Sequence, residues 1–333
     1  MIRKFPLAVL MAIPILLSSP AKAQQQPTQL PGLKDWFLAT GNWEKDPQLY
    51  VLEMGTGADT IVMIHGGWGS EHSGLIPAVR SLANKYHFVF YDQRGSLRSP
   101  FPDSLISLEN HIEDLELLRK ELKIDKLNLV GHSMGSFLAS AYASKYPNRI
   151  KRLVLLAPAG LKSQLSKEEN ELLGKEEAKL QKFRTRPAVE QEMNKLNLNR
   201  TSPPLSSQEQ TAKFRISLFG RLMLFDPSKW NQLMGGRGMD RLHLYQIIAN
   251  SYPKEGFNYV EDFKKDNYPI TIITGDHDFL DFGNGLHKKW ASENPRIKFT
   301  AVKDAGHFLW VDQPEEVAKL IDLEFKVPNP QTR

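Results

Sequence analysis

The sequence contains no cysteine among its 333 residues. This absence excludes disulfide bonds, a thiol nucleophile, zinc held by thiolates and a lipid-modified cysteine anchor. The folded state must therefore be stabilised by a hydrophobic core instead of covalent cross-links. A chain of this length can bury enough apolar surface to form one.

Long apolar runs and strong net charge are also missing. No apolar run reaches the ~20 residues that a membrane-spanning helix needs. The formal net charge is only +5. Three of the basic residues lie in the first 23 residues, which contain no acid, so the remaining chain carries a net charge of only +2. This weak charge, without a basic stripe, argues against nucleic acid as a partner.

The amino-terminal segment has the pattern of a secretory signal peptide. Two basic residues precede an apolar stretch that ends near Leu17, and Ala21 and Ala23 supply the small residues of a cleavage site. Prolines interrupt this stretch, and it is too short for a membrane anchor. We predict that residues 1–23 are removed and that the mature protein, starting at Gln24, is periplasmic or secreted without stable membrane insertion.

The rest of the chain alternates between short apolar runs and amphipathic segments, such as LIPAVRSLANKY at 75–86, which we predict to be a helix. Such alternation is typical of βαβ units and of a parallel sheet with helices on both faces. The alternation stops at residue 161 and resumes near residue 266. We predict a core domain built from residues 24–160 and 266–333, with residues 161–265 forming an inserted helical cap.

Residues 131–135 read GHSMG and match the pattern GxSxG. An apolar run that ends at Val130 predicts a strand before them, and small residues after Met134 predict a helix. This is the context in which the central serine of the motif is a nucleophile on a strained turn. The alternative is that Ser133 is only a small residue at a crowded turn. We favour the nucleophile because three further features, described next, agree with it.

An oxyanion hole is predicted from the stretch IVMIHGGWG at 61–69. Acyl transfer needs two backbone N–H groups directed at the oxygen that becomes negatively charged. We expect one from Gly67 or Trp68 at the end of a strand, and the other from Met134, directly after the nucleophile. The alternative for this stretch is a glycine-rich turn with a structural His65.

A carboxylate and a histidine follow the last two predicted strands. Asp276 and Asp278 both lie at the end of the strand in ITIITGDHD, and their spacing from the strand favours Asp278. His307 follows the final strand, and an imidazole can accept the serine proton at neutral pH. The order Ser133, Asp278, His307 is the order of α/β-hydrolases and differs from that of the other two serine-triad architectures.

Three stretches carry a family resemblance: HGGWG at 65–69, FYDQRGSLRS at 90–99 and GHFLWVDQPEEV at 306–317. With them the chain resembles the α/β-hydrolase superfamily, and within it the prolyl aminopeptidase (proline iminopeptidase) branch. The resemblance implies a mostly parallel, eight-stranded sheet with helices on both faces and an inserted helical cap.

Three positions depart from the pattern of that branch, which usually has proline at Trp68, glycine at Leu97 and glycine at His132. We also expect Asp92 and Arg94 of the DQRG stretch to form a buried structural pair near the site, with a role in substrate binding as the alternative.

The resemblance implies a serine hydrolase that forms an acyl-enzyme, with aminopeptidase activity on small peptides or amides, and the amino-terminal pattern predicts that it is exported. A carboxylesterase or another hydrolase of small acyl substrates is the alternative, because GHSMG is equally common there. A catalytically silent binding protein on the same fold is a third possibility, but all three triad candidates are present. We expect no metal and no cofactor, since serine, histidine, carboxylate and backbone suffice.

The predicted cap contains two kinds of residue that bear on substrate. Aminopeptidase activity would need carboxylates for a free amino group, and the cap has many, including Glu190, Glu192, Asp226, Glu255 and Glu261. The aromatic and methionine side chains of residues 214–230 either line an apolar pocket or pack the interior of the cap. These side chains are Phe214, Phe219, Met223, Phe225 and Trp230.

Overall fold

The computed structural model describes residues 30–233, 241–265 and 267–326. The predicted signal peptide, residues 1–23, lies outside them, so its prediction stays a prediction. Within the described ranges, every helix falls short of the length and apolar character needed to cross a bilayer.

The described residues contain one eight-stranded sheet with the order β1-β2-β4-β3-β5-β6-β7-β8. The pairs β1–β2 and β2–β4 are antiparallel, and the other five pairs are parallel. This confirms the mostly parallel sheet expected from the sequence. The strands are β1 (Lys34–Ala39), β2 (Gln48–Met54), β3 (Thr60–Ile64), β4 (His87–Tyr91), β5 (Leu127–His132), β6 (Ile150–Leu156), β7 (Ile270–Gly275) and β8 (Ile297–Val302).

The central strands are apolar on both faces. All six residues of β5 and all six of β7 are buried. Successive side chains of a strand point to opposite faces, and accordingly Leu129 belongs to one apolar cluster while Val130 belongs to the other. Burial on both sides explains why most residues of these strands are apolar and do not alternate regularly with exposed polar ones.

Helices surround the sheet and fill the insertion. The helices are α1 (Ile76–Val79), α2 (Leu108–Glu121), α3 (Met134–Lys145), α4 (Lys167–Arg184), α5 (Pro187–Lys195), α6 (Ser207–Arg215), α7 (His243–Ala249), α8 (Tyr259–Asp262), α9 (Gly285–Glu293), α10 (Leu309–Asp312) and α11 (Pro314–Phe325). A π-helical segment, Ile216–Gly220, continues α6. Helices α4 to α8 come between β6 and β7, at the place where the sequence predicts the insertion.

The prediction of one helix over residues 75–86 is wrong. Only α1 is α-helical there, and 3₁₀ turns precede and follow it. The backbone leaves the helical region at Val79, with φ −129° and ψ 1°. The Ala83 carbonyl accepts a hydrogen bond from Thr56 N–H at 3.0 Å instead of one from the helix. The loop that contains Thr56 therefore binds a carbonyl group that a longer helix would have used for its own hydrogen bonds.

The two ends of the insertion lie side by side. A β-bridge joins Lys162 to Asn258. Tyr259 N–H donates to the Leu161 carbonyl at 2.9 Å, next to this bridge. The first helix of the insertion, α4, starts with a capping box in which Ser166 and Glu169 bind each other's backbone N–H groups. The insertion thus leaves the sheet domain and returns to it at one point.

Candidate active site

Ser133 occupies the turn between β5 and α3 in a strained conformation, with φ 52° and ψ −119°. A non-glycine residue with positive φ is uncommon and costs conformational energy. Glycines make the turn possible. A Cβ on Gly135 would lie 2.2 Å from the carbonyl oxygen of Ile64, and one on Gly131 would lie 2.5 Å from that of Gly135. The helix can approach the sheet this closely only without side chains at these two positions.

Hydrogen bonds to the neighbouring strand fix the backbone of Ser133. Its N–H donates to the Leu156 carbonyl at 3.0 Å, and its own carbonyl accepts from Ala159 N–H at 3.2 Å. The side chain is partly exposed and lines a cavity. The turn therefore holds the hydroxyl outside the sheet, where a substrate can reach it.

Asp278 is the carboxylate that lies against His307. Its Oδ1 is 3.0 Å from His307 Nδ1, and it also accepts from Leu280 N–H at 3.0 Å. Thr274 Oγ1 donates to its other oxygen at 3.2 Å. Complete burial would raise the pKa of Asp278, but the charge of His307 and these hydrogen bonds lower it below its usual value. The carboxylate is thus kept ionised beside the imidazole.

Asp276, the alternative acid, is engaged elsewhere. Its Oδ1 lies 2.6 Å from His277 Nδ1 and accepts from Ala305 N–H at 3.3 Å. It is also partly exposed, whereas Asp278 is buried. The geometry therefore favours Asp278 as the partner of His307, as the spacing in the sequence suggested.

Ser133 and His307 line the same cavity. Among the described residues, no hydrogen bond joins their side chains. Such bonds are often long without substrate and shorten only when the complex forms. The ring of Phe279 packs edge-on against His307 at 4.9 Å between centroids. His307 is therefore held between its carboxylate and an aromatic wall, with one edge facing the cavity.

His132, next to the nucleophile, has a structural contact with His307. Its Nε2 lies 3.1 Å from the His307 carbonyl oxygen, and the two rings are 4.7 Å apart between centroids. Burial lowers the pKa of His132 well below its usual value, and the nearby His307 adds to this effect. His132 is therefore neutral at neutral pH and donates this hydrogen bond.

The predicted oxyanion loop lies directly on the nucleophile turn. A Cβ on Gly66 would be 2.8 Å from the Cβ of Ser133. In the described part of the chain, the backbone N–H groups of Gly67, Trp68 and Met134 are not used in hydrogen bonds to other residues. Free N–H groups on both sides of the hydroxyl are what an oxyanion hole requires.

The side chains of this loop anchor it through hydrogen bonds. Trp68 is buried, and its Nε1 donates to the hydroxyl of Tyr252 at 3.2 Å. His65 Nδ1 lies 3.0 Å from the Gly66 carbonyl, and its Nε2 accepts from Gln93 N–H at 3.2 Å. Burial lowers the pKa of His65, so it is neutral. The sequence alternative of a structural His65 agrees with these contacts.

The cavity at Ser133 has a volume of about 250 Å³ and walls that are mainly apolar. Its large apolar side chains are Leu75, Leu218, Phe219, Met223, Leu242, Phe279, Phe308 and Trp310. Glu71 is the single carboxylate among the described residues that line it. This carboxylate already accepts from Ser73 N–H at 2.8 Å and lies 3.4 Å from Arg98.

The expected pair between Asp92 and Arg94 is wrong. Arg94 instead forms a two-point ion pair with the buried Asp114, with contacts of 2.7 and 2.5 Å. Asp92 accepts from His72, whose Nδ1 and N–H lie 2.6 and 3.0 Å from Oδ1. The two side chains are close in sequence but face different neighbours, because the turn after β4 directs them apart.

One group of possible metal ligands lies beside the cavity in the described part of the chain. Glu71, His72 and Asp92 are buried, and their ligand atoms lie within 4.8 Å of one another. Arg98, however, lies 3.4 Å from Glu71 and 3.6 Å from Asp92. Because this cation and the imidazole already pair with both carboxylates, we assign the group a structural role.

Among the described residues, the acids of the insertion do not line the cavity. Glu190 pairs with Arg221, Glu192 with Lys195, and Glu261 with Lys264. Asp226 accepts from Ser228, and Glu255 lines a different cavity.

The aromatic and methionine side chains at 214–230 have both of the roles that the sequence suggested, lining the cavity and packing the interior of the insertion. Phe219 and Met223 line the cavity at Ser133, whereas Trp230 packs against the apolar cluster inside the insertion.

Sequence reasoning missed Asp312 and Glu71. Asp312 is buried and binds three backbone N–H groups near His307. A carboxylate five residues after a candidate catalytic histidine is a weak signal in the sequence. The role of this carboxylate can be seen only when its partners in the insertion, Phe225 N–H and Asp226 N–H, are known, and these lie more than 80 residues away in the sequence.

Comparison with known proteins shows which family the chain belongs to. Residues 59–314 match the family described as alpha/beta hydrolase fold. The chain is similar to a proline iminopeptidase of Heyndrickxia coagulans, with 24% identity over 277 residues, 80% of this chain and 90% of the relative. It is also similar to a 1-acylglycerol-3-phosphate O-acyltransferase of Arabidopsis thaliana, with 24% identity over 307 residues, 85% of this chain and 71% of the relative.

A solved structure shares the fold. The proline iminopeptidase-related protein from Thermus thermophilus superposes with a TM-score of 0.56 at 20% identity, covering 88% of this chain and 96% of that chain. The family match spans strands β3 to β8, the serine turn and the histidine loop. The chain therefore belongs to the alpha/beta hydrolase family, as the motifs in its sequence predicted.

Proposed function

We propose that this protein is a serine hydrolase that cleaves carboxylic esters with apolar acyl or alcohol groups. Ser133 is the nucleophile, His307 the general base and Asp278 the carboxylate that orients the imidazole and stabilises its positive charge. The observation that carries the proposal is the mainly apolar cavity around Ser133, whose single described carboxylate is already hydrogen-bonded.

The contacts around Ser133 support an acylation step without any other group. Ser133 Oγ attacks the carbonyl carbon while its proton passes to His307 Nε2. The carbonyl oxygen becomes an oxyanion, which accepts from the N–H of Met134 and from that of Gly67 or Trp68. When this intermediate collapses, the bond to the alcohol oxygen breaks and the alcohol leaves with the proton from His307.

Deacylation repeats the same proton path with water. A water molecule attacks the acyl-Ser133 carbonyl and gives its proton to His307, and the new oxyanion uses the same N–H groups. Collapse releases the carboxylic acid, and Ser133 regains its proton from His307. Asp278 stays ionised throughout, which agrees with its lowered pKa.

An ester suits this cavity better than a substrate with a free amino group. A charged amine that enters an apolar cavity needs a carboxylate partner, because it loses its hydration. Four of the five named acids of the insertion are bound to other groups, and Glu255 lines a different cavity. Glu71 remains, but Ser73 and Arg98 already occupy its oxygens. A neutral ester needs no carboxylate partner in the cavity.

The second candidate is an aminopeptidase that resembles the proline iminopeptidases. The HGGWG, DQRG and histidine-loop motifs favour it, as does the similarity to the enzyme of Heyndrickxia coagulans. In this case Glu71 would be the described carboxylate available to an amino group at the cavity wall.

A substrate comparison separates the two candidates. We would measure kcat/KM for a series of nitrophenyl esters, for a Pro-amide chromogenic substrate and for its N-acetylated form. The ester proposal expects turnover of the esters and no gain from a free amine. The aminopeptidase expects N-acetylation to lower kcat/KM roughly 10- to 150-fold, the cost of losing a charged hydrogen bond of about 1.5–3 kcal/mol.

Two variants complete the experiment. Ser133→Ala should abolish turnover of the preferred substrate, and wild-type turnover in this variant would refute the nucleophile assignment. Glu71→Gln should leave ester turnover nearly unchanged, whereas a selective loss of Pro-amide turnover would favour the second candidate.

A further inference from the structure

The loop that carries His307 is bound from three sides. The carbonyl of His307 itself accepts a hydrogen bond from the histidine beside the nucleophile, as described above. On one side of it, Gly306 N–H donates to Asp312 Oδ2 at 2.9 Å. On the other side, Phe308 N–H donates to the Met223 carbonyl at 3.2 Å. Since Met223 belongs to the insertion, the histidine loop and the insertion share a backbone contact.

The carboxylate of Asp312 joins the same two elements. Its Oδ2 accepts from Phe225 N–H at 2.8 Å in addition to Gly306 N–H, and its Oδ1 accepts from Asp226 N–H at 3.0 Å. We call residues 220–226 of the insertion the strap. The side chain of Asp312 is buried. One buried carboxylate thus binds two N–H groups of the strap and one of the histidine loop.

Arg186 holds the strap from its carbonyl side. The guanidinium packs over the ring of Phe183 at 3.7 Å. Its Nη atoms donate, at 2.7 to 3.2 Å, to the strap carbonyls of Gly220, Arg221, Leu224 and Phe225. The guanidinium of Arg186 therefore binds carbonyls of the strap, and the carboxylate of Asp312 binds two of its N–H groups. Together these contacts fix the position of the strap.

The strap lines part of the cavity and is packed directly against the loop that carries His307. Met223 lines the cavity at Ser133. A Cβ on Gly306 would lie 2.5 Å from the Met223 carbonyl oxygen, so the two backbones are in direct contact. A shift of the strap must therefore be accompanied by a shift of the loop that carries His307.

We propose that Asp312 is a positioning residue that keeps the strap and the His307 loop in one arrangement, so that the cavity wall and the general base are aligned together. This inference rests on the proposed function, in which His307 is the base. An acyl group that packs against Met223 then affects the alignment of His307 as well as its own affinity.

The variant Asp312→Asn tests this role. Asparagine has nearly the same shape, but its amide group cannot accept at both oxygen positions, so at least one of the three N–H groups loses its acceptor. Misplacement of a catalytic group by about 1 Å can cost 10²-fold. We expect kcat for a nitrophenyl ester, and the rate at which a fluorophosphonate labels Ser133, to fall roughly 10- to 100-fold, with a much smaller change in KM.

A proton NMR measurement separates positioning from general loss of stability. The His307 Nδ1–H bonded to Asp278 should give a far-downfield signal, and this signal should shift or broaden in Asp312→Asn. The matched control is Glu169→Gln, which removes another buried carboxylate that accepts a backbone N–H, at the start of α4. This control should lower the melting temperature without changing kcat or the downfield signal.

If Asp312→Asn does not fold, Gly306→Ala replaces it, because the added methyl group pushes the strap and the loop apart without removing a charge. It should show the same loss of kcat. A folded Asp312→Asn or Gly306→Ala with wild-type kcat and labelling rate, while Ser133→Ala is inactive, would overturn this inference alone. Turnover by Ser133→Ala would overturn the proposed function and this inference with it.

Discussion

His307 Nδ1 lies 3.0 Å from Asp278 Oδ1, whereas Asp276, two residues earlier, is bound to His277. Both acids follow the same strand, β7, but only one of them is buried against the imidazole. Because of this difference, we expect substitutions of Asp278 and Asp276 to have different effects, although the two acids look equivalent in the sequence.

We expect Asp278→Asn to lower kcat far more than Asp276→Asn. The amide carries no charge to stabilise the imidazolium and can hold the imidazole in the wrong tautomer, a loss that reaches ~10⁴-fold in a well-studied triad. Asp276→Asn removes a partly exposed carboxylate and should cost little activity. Steady-state kinetics of both purified variants checks this, and the reverse ranking would move the role to Asp276.

Ser133 and His307 should act as one unit. We expect Ser133→Ala and His307→Ala each to remove nearly all turnover, and the double variant to be hardly slower than either, because each substitution already disables the same proton transfer. All three proteins should have the circular dichroism spectrum of the wild type. Losses that multiply in the double variant would show that the two residues contribute independently.

Gly135→Ala should destabilise the protein because its methyl group would lie 2.2 Å from the Ile64 carbonyl oxygen. Overpacking of this kind typically costs ~1–3 kcal/mol. Gly174→Ala is the matched control, since Gly174 is an exposed residue of α4 with open space around it. There alanine should stabilise by roughly 0.5–1 kcal/mol. Urea unfolding measures both, and equal effects would contradict the packing argument.

The stability contributed by Glu169 should depend on pH. Burial would raise the pKa of Glu169, but hydrogen bonds from Lys162, Ser166 and Trp290 lower it from 4.5 to about 2. Because the pKa is lower in the folded state, this contribution is present above pH 4.5 and is lost as the pH falls toward 2.

We therefore expect Glu169→Gln to reduce the free energy of unfolding more at pH 6 than at pH 3. The exposed Glu171→Gln, from the same helix, should show no such difference. A loss in Glu169→Gln that is equal at the two pH values would contradict the pKa argument.

We also expect export with cleavage after Ala23, because Ala21 and Ala23 place small residues where a signal peptidase requires them. Mass spectrometry of the protein from a periplasmic or culture fraction should show Gln24 as its first residue. Intact Met1 in a membrane fraction would indicate an uncleaved anchor.

Much of the sheet could be predicted from the sequence because its strands are buried on both faces. Strands such as β5 and β7 are mainly apolar and buried along their whole length, and glycines mark the close contacts beside them. Ser133 and His307 were found for the same reason, since their motifs follow such strands directly. β1 was missed because only Leu38 among its six residues is buried, which leaves little apolar pattern.

The partners of charged side chains could not be predicted in this way. Arg94 binds Asp114 from the next helix, and Asp312 binds a strap more than 80 residues before it. Sequence spacing carries no information on such contacts, which form only when elements that are distant in the sequence pack together. The expected pair of Asp92 and Arg94 was wrong because it assumed that charged residues close in sequence pair with each other.

The bridge between Lys162 and Asn258 has a consequence for how this fold can change over evolution. The free energy needed to close a chain segment grows only with the logarithm of its length, by about 0.6 kcal/mol for each doubling. Because the bridge already closes the insertion at its base, helices can be added or removed beyond it at little entropic cost to the sheet domain. Substrate range can therefore diverge by exchange of this segment while the residues on the sheet stay in place.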